Sequence, residues 1–125
     1  MNIKEAAKAT GLSNDTIRYY ERIGVIMPVP RKENQLRDFT ERNINQLKFA
    51  KTMRHAGVSI ERLREYIGMV LEDDDLTIPA RKALLLEQAE EMQERINQIQ
   101  AAHDHLLYKI DHYESHMRQA ENRLE

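Results

Sequence analysis

The 125-residue chain contains no cysteine. Disulfides, thiolate metal sites and thiol redox switches are therefore excluded. Glycine and proline are scarce, at four and three, tryptophan is absent, and the aromatics amount to five tyrosines and two phenylalanines. So few turn-formers do not suit a sandwich or barrel, and the frequent Ala, Glu, Gln, Leu, Arg and Ile favour helices. No apolar run approaches the roughly 20 residues a membrane helix needs, and no basic segment leads into a short apolar stretch. The expectation is a mostly α, cytoplasmic protein with no membrane partner. Phosphate-binding loops, Ser/His/Asp sets and paired carboxylates in a glycine-bounded cleft are also missing, so no enzyme and no cofactor is expected.

What is present is divided unevenly. Residues 1–70 carry thirteen Lys and Arg against eight Asp and Glu, a net +5, whereas residues 71–125 carry six against thirteen, a net −7. A basic first half suits a polyanion, because each neutralised phosphate releases condensed counterions. The acidic remainder is held away from such a partner.

Start and stop signals mark five helices. Asn2 caps a short helix through Ala9, and "TGLS" turns into a second helix that begins at Ser13 and ends at Gly24. Two helices across a tight glycine turn form a helix-turn-helix. "MPVPRKENQLRDF" places Val29, Leu36 and Phe39 among prolines, charges and Asn34, and reads as a short β-hairpin wing. Thr40 caps a third helix that stops at Gly57, and Ser59 caps a fourth that reaches Leu71. After the acidic loop "EDDDLTIP", with Thr77 as a cap and Pro79 in the first turn, nothing interrupts a helix to the end of the chain. "GLSNDTIRYY" from Gly11 and "GVSIERLREY" from Gly57 repeat one pattern of glycine turn, serine cap and amphipathic helix.

At 100° per residue Ser13, Ile17, Tyr20 and Gly24 share one face of the second helix, and Asp15, Arg18, Tyr19 and Arg22 lie opposite. Tyr20 is thus expected in the core. Arg18 and Tyr19 are expected outside, where guanidinium and phenol can donate to phosphate oxygens. Asn14 and Thr16 sit in the first turn, the part of a recognition helix that reaches base edges.

In the carboxy-terminal half Leu85, Ala89, Met92, Ile96, Ile99, His103, Leu106, Ile110, Tyr113 and Met117 step by alternating four and three. This is an a/d seam of nearly five heptads. A helix of about 40 residues spans about 60 Å, too long to bury the seam against a small domain, so a second chain is expected to cover it. Spacing alone leaves parallel and antiparallel pairing open. His103 suits a polar, register-fixing seam position, and the helix-spaced His105, His112 and His116 lack a further ligand of certain geometry, so no metal site is expected.

"IKEAAKATGLSNDTIRYYERIGVI" and "RKENQLRDFTERNINQLKFAKTMRHAGVSIERLREYI" together resemble the winged helix-turn-helix domain of the MerR transcription regulators over residues 1 to about 71. The resemblance implies a DNA-binding domain over residues 1–71, an acidic linker over 72–79 and a coiled-coil dimerisation helix over 80–122. It implies a homodimer joined by an antiparallel coiled coil that binds double-stranded promoter DNA, distorts an overlong promoter spacer and so affects RNA polymerase indirectly. By the same resemblance Arg18 and Tyr19 hold backbone phosphates, Asn14 to Thr16 enter the major groove, and the wing's Arg31, Lys32, Asn34 and Arg37 grip flanking DNA. The wing departs from the family at Gln35-Leu36 and Phe39, where Gly-Tyr and Tyr are usual. "RDFTERN", "KTMRHAGVSIE" and "TIPARKALLLEQ" are most similar to the aldehyde-responsive subgroup, in which a cysteine commonly stands where this chain has Thr52. A threonine hydroxyl is not a soft nucleophile at neutral pH. The implied pocket for a small-molecule inducer involves Thr52, His55 and Tyr66. A DNA-binding architectural protein, or one whose coiled coil recruits another factor, is the alternative that the residues alone leave open.

Overall fold

The computed structural model describes residues 1–72, 75–115 and 118. Five α-helices follow in order: α1 Ile3–Thr10, α2 Asn14–Ile23, α3 Glu41–His55, α4 Ile60–Leu71 and α5 Ile78–Asp111, with a short 3-10 turn Asp75–Thr77 before the last. Contacts divide the chain into one compact unit from Met1 to Gln88 and a second beginning at Ala89.

The helix starts follow their caps. Asn2 and Glu5 form a reciprocal capping box at α1, and Thr40 with Asn43 forms another at α3. Ser13 and Ser59 adopt the same backbone geometry, φ −72° and ψ 156°, and accept from Thr16 N and Arg62 N. The sequence echo is therefore a repeated capping device. Gly11 ends α1 at φ +73°, and a Cβ there would stand 2.6 Å from Lys51 Nζ, which donates to Thr10 O at 2.9 Å. Glycine is required at this turn by the left-handed backbone, whereas the flexible lysine tip could move aside for a Cβ.

The core of the first unit joins the inner faces of these helices through Ala6, Ile17, Ile26, Phe39, Leu47 and Leu63, each less than 5 % exposed. Full burial of such side chains stabilises by about 1.5 to 3 kcal/mol each for the larger ones. Asn43 and Gln46 of α3 clasp the segment that leaves α2: Asn43 Nδ2 donates to Met27 O at 3.2 Å, and Met27 N donates to Gln46 Oε1 at 2.9 Å. Thr77 Oγ1 donates to Met69 O and accepts from Arg81 Nε, tying the end of α4 to the start of α5. Arg62 bridges α4 to Glu87 at 2.8 Å. Leu84 and Gln88 are the buried residues of α5.

Two expectations need correction. The wing is not a β-hairpin of paired strands: among the described residues it is a loop closed by one isolated antiparallel bridge, Arg31 to Arg37. Pro28 and Pro30 lack backbone donors and cannot extend that ladder. The long helix is interrupted by a turn at His112, after α5 ends at Asp111; residues 113–115 are helical again, and of the remaining residues only Arg118 is described. Both the backbone N–H and ring Nδ1 of His112 lie within 3.1 Å of the Tyr108 carbonyl, so the side chain competes with the helix ladder there.

Candidate nucleic-acid interface

The second helix has the two faces that its sequence requires. Ile17 is fully buried and Tyr20 is 8 % exposed, whereas Tyr19 is 40 % exposed and Asn14, Asp15, Arg18 and Arg22 face outward. Gly24 caps the helix at φ +82°, and its amide donates to Glu21 O and Tyr20 O. Arg22 lies over the Tyr19 ring at 5.3 Å, which orients the phenol on the outer face. Arg18 Nη1 reaches Asp15 Oδ1 at 3.3 Å, but the aspartate side chain is 98 % exposed. Such a pair contributes little and leaves the guanidinium ready to exchange it for a phosphate. Thr16 Oγ1 accepts from Ser13 Oγ, placing the threonine in the first turn beside Asn14.

The wing loop is held as a tight turn. Gln35 N donates to Lys32 O at 2.9 Å, Lys32 N donates to Leu36 O at 2.8 Å, and Leu36 N donates to Asn34 Oδ1. Asn34 therefore shapes the turn through its side chain, as asparagine commonly does. Gln35 has φ +69°, the left-handed region in which glycine is unstrained. Arg31 Nη1 donates to Gln35 O, and Arg31 and Lys32 are exposed. Phe39 is only 3 % exposed, so its ring belongs to the core and is not a surface contact.

Arg37 is placed differently from Arg31 and Lys32. Its Nε donates to Glu21 Oε1 at 2.6 Å, with only 25 % and 14 % of the two side chains exposed. Glu21 Oε2 accepts from Val29 N at 2.9 Å. One carboxylate of α2 thereby fixes both ends of the wing. Burial by itself raises the Glu21 pKa, but the Arg37 hydrogen bond, the Val29 amide and the charges of Arg37 and Arg31 outweigh it and hold the carboxyl below its ordinary value. At the base of the same loop the Met1 ammonium donates to Asp38 Oδ1 at 2.9 Å and to Phe39 O at 3.0 Å.

Of the residues expected around an inducer, Tyr66 pairs with Phe49 at 5.9 Å between ring centres. The two rings border a cleft of about 520 Å³ that includes Glu41, Arg42, Asn45 and Val70. Thr52 and His55 are exposed on α3 and line neither this cleft nor the narrow cavity behind Tyr66. That cavity, about 20 Å³, lies among Phe49, Met53, Leu84, Leu85 and Gln88.

Along α5 and just past its end, the seam residues Leu85, Ile96, Ile99, Leu106, Ile110 and Tyr113 are 38 % to 69 % exposed. Ala89 and His103 are also exposed and Met92 is half-buried, while Met117 lies outside the described residues. His103 Nδ1 is 3.8 Å from Asp104, and the His112 ring stacks on Tyr108 at 4.3 Å. His116 lies outside the described residues.

Sequence reasoning did not single out Glu21, Asn43, Gln46, Phe49 or Gln88. Glu21 stands within the quoted "RYYERIG", yet nothing local says that it meets Arg37. Gln88 directly flanks Ala89 of the seam, and heptad spacing alone leaves such a residue in solvent.

The family model for MerR HTH family regulatory proteins matches residues 1–69, and that for MerR, DNA binding, matches residues 44–108. The HTH-type transcriptional regulator AdhR of Bacillus subtilis is 46 % identical over 92 residues, 74 % of this chain and 65 % of AdhR. The chain thus spans just under two thirds of that relative's length. Heavy metal-dependent transcription regulator 2 of Rhizobium meliloti is 36 % identical over 100 residues, 80 % of this chain and 67 % of the relative. Among solved structures, a MerR family transcriptional regulator from Listeria monocytogenes matches with a TM-score of 0.87 at 43 % identity, covering 99 % of this chain and 93 % of that one. HiNmlR, a MerR family regulator lacking the sensor domain and bound to promoter DNA, matches with a TM-score of 0.80 at 26 % identity, covering 97 % and 92 %. With its capped helix-turn-helix, tethered wing and long helix, the chain belongs to the MerR family of helix-turn-helix transcriptional regulators.

Proposed function

We propose that this protein is a transcriptional regulator that binds promoter DNA sequence-specifically as a homodimer and distorts it. The observation that carries the reading is the outer face of α2, where Arg18, Tyr19 and Arg22 stand exposed over a helix anchored by Ile17 and Tyr20. Arg18 and Tyr19 hold backbone phosphates, Asn14 and Thr16 read base edges from the first turn, and Arg31 and Lys32 grip flanking phosphates from the wing. Asn34 shapes the wing, and Arg37 aims it through Glu21. The exposed seam of α5 joins two copies, so that two such surfaces act on one operator. Bending a site by several tens of degrees costs roughly 1 to 6 kcal/mol, which phosphate contacts at both ends offset. The promoter-bound state of HiNmlR supports the DNA partner.

The test is footprinting on the DNA flanking the encoding gene, followed by anisotropy titrations across a salt series. Wild type should protect one inverted repeat. Arg18→Ala should weaken binding to that repeat and to random DNA about equally and lower the salt slope by roughly one phosphate, whereas Asn14→Ala and Thr16→Ala should weaken the specific site alone, by about 1 to 3 kcal/mol. Uniform, unprotected binding along the flanking DNA would refute sequence-specific recognition.

A further inference from the structure

Gln88 is 6 % exposed, and its Nε2 is the one buried side-chain polar atom without a hydrogen-bond partner among the described residues. A buried donor in that state is costly enough that native proteins rarely retain one. The amide borders the cavity formed by Phe49, Met53, Leu84 and Leu85, whose lining offers as other acceptor side chains only the hydroxyl of Tyr66 and the weak thioether of Met53. At about 20 Å³ this space admits a single water-sized group and falls far short of the several hundred Å³ that a small-molecule ligand occupies. A water or the tip of one side chain would complete it. Leu85 belongs both to the cavity wall and to the seam, so the chain that covers the seam reaches the cavity edge.

The seam's own volumes choose the orientation of that chain. Parallel, in-register pairing would set Ala89 on Ala89 and Tyr113 on Tyr113, leaving one layer empty and overfilling another, and would face His103 with His103. Antiparallel pairing about the midpoint between Ile99 and His103 sets small against large: Ala89 meets the partner's Tyr113, and Ile99 meets the partner's His103. Cores and helix interfaces favour such volume matching. The hydroxyl opposite Ala89 then arrives beside the preceding residue, Gln88. Tyr113 is 55 % exposed in the single chain and helical, immediately after the turn at His112.

We propose that the Phe49–Leu85–Gln88 cavity is a composite site, closed by a second copy of this chain, in which Gln88 Nε2 donates to the hydroxyl oxygen of the partner's Tyr113. The proposal rests on the homodimer reading above. Two symmetric bonds form per dimer, and each ties the end of one long helix to α3 and α4 of the other copy's DNA-binding unit.

The chain's lack of cysteine permits a direct test on the full-length protein. Ala89→Cys combined with Tyr113→Cys should be joined into covalent dimers by a short bismaleimide, while neither single variant should be, because equivalent positions of an antiparallel pair stand about 36 Å apart along the helix. Cross-linking of Ala89→Cys alone would mean parallel pairing and overturn the proposal while leaving the dimer intact. A chain that sediments as a monomer would overturn the homodimer reading itself. The hydrogen bond is read separately by a double-mutant cycle on the dimer dissociation constant. Tyr113→Phe keeps the ring and should weaken the dimer about two- to tenfold per site, hence about four- to a hundredfold over both. In a Gln88→Met background, which removes the donor, the same change should have little effect. Equal losses in both backgrounds would show that Gln88 finds its acceptor in water or a small ligand, and the proposal would fall.

Discussion

Replacing Glu21 with Gln should loosen the wing without changing any of the exposed residues assigned to DNA. The wild-type carboxylate accepts from Arg37 Nε at 2.6 Å and from Val29 N at 2.9 Å, with 14 % of its own side chain exposed. Glutamine retains one carbonyl acceptor, loses the charge, and turns an NH₂ group toward one of two donors. Hydrogen bonds to charged groups contribute about 1.5 to 3 kcal/mol, and Arg37, a quarter exposed, recovers part of its hydration, so a net loss of about 2 kcal/mol is expected. For a unit of this size that corresponds to a melting-point drop of roughly 8 to 16 °C. The loss should also depend on pH in a specified direction. Because the folded carboxyl titrates below its ordinary value of 4.5, its contribution is complete above that pH and is lost as pH falls through the lower, folded value. The stability gap between wild type and Glu21→Gln should therefore be constant from neutral pH down to about 5 and close in more acidic solution. Thermal melts by circular dichroism at matched ionic strength measure it. A gap that persists unchanged at pH 3, or equal melting at pH 7, would refute the assignment of Glu21 as the ionised tether of the wing.

Tyr20→Ala should lower stability by about 3 to 5 kcal/mol, since a buried ring is truncated, whereas Tyr19→Phe should leave the melt unchanged and weaken DNA binding by about 0.5 to 1.5 kcal/mol. A Tyr20→Ala protein that melts normally but loses DNA would mean that the two faces of α2 are exchanged. Ile96→Asp with Ile99→Asp should abolish dimers and operator binding together, because unpaired charges in the seam are costly to bury; sedimentation at the wild-type rate would contradict the assigned seam. At Gln35, whose φ is +69°, substitution by valine should destabilise by about 1 kcal/mol or more, because β-branching is strongly disfavoured there, while glycine should be tolerated. Identical melts for wild type and Gln35→Val would show that the turn relaxes.

What the sequence determined by itself is what depends on neighbours along the chain. Ser13, Thr40 and Ser59 cap helices because their hydroxyls reach an amide three residues on, and Gly11 and Gly24 end helices because they alone enter the left-handed region cheaply. Helical periodicity likewise separates Tyr19 from Tyr20 and marks the seam of α5. Tertiary structure decided the contacts between residues distant in sequence, which carry no local periodic signal. Arg37 lies sixteen residues from Glu21 and bonds it across the wing, so a residue that looks like a free phosphate ligand is partly committed to aiming the loop. Met27 is held by Asn43 and Gln46 from the next helix, and the hairpin reduces to a single bridge because the prolines before it have no donors to extend a ladder. Gln88 is the sharpest case: its polarity and its place beside the seam suit solvent, but the start of α5 belongs to the first unit, buries Leu84 there and carries the amide inside with it. Caps and periodicity are written residue by residue, whereas which faces meet, and which polar groups are left waiting for a partner, follows only once the helices pack.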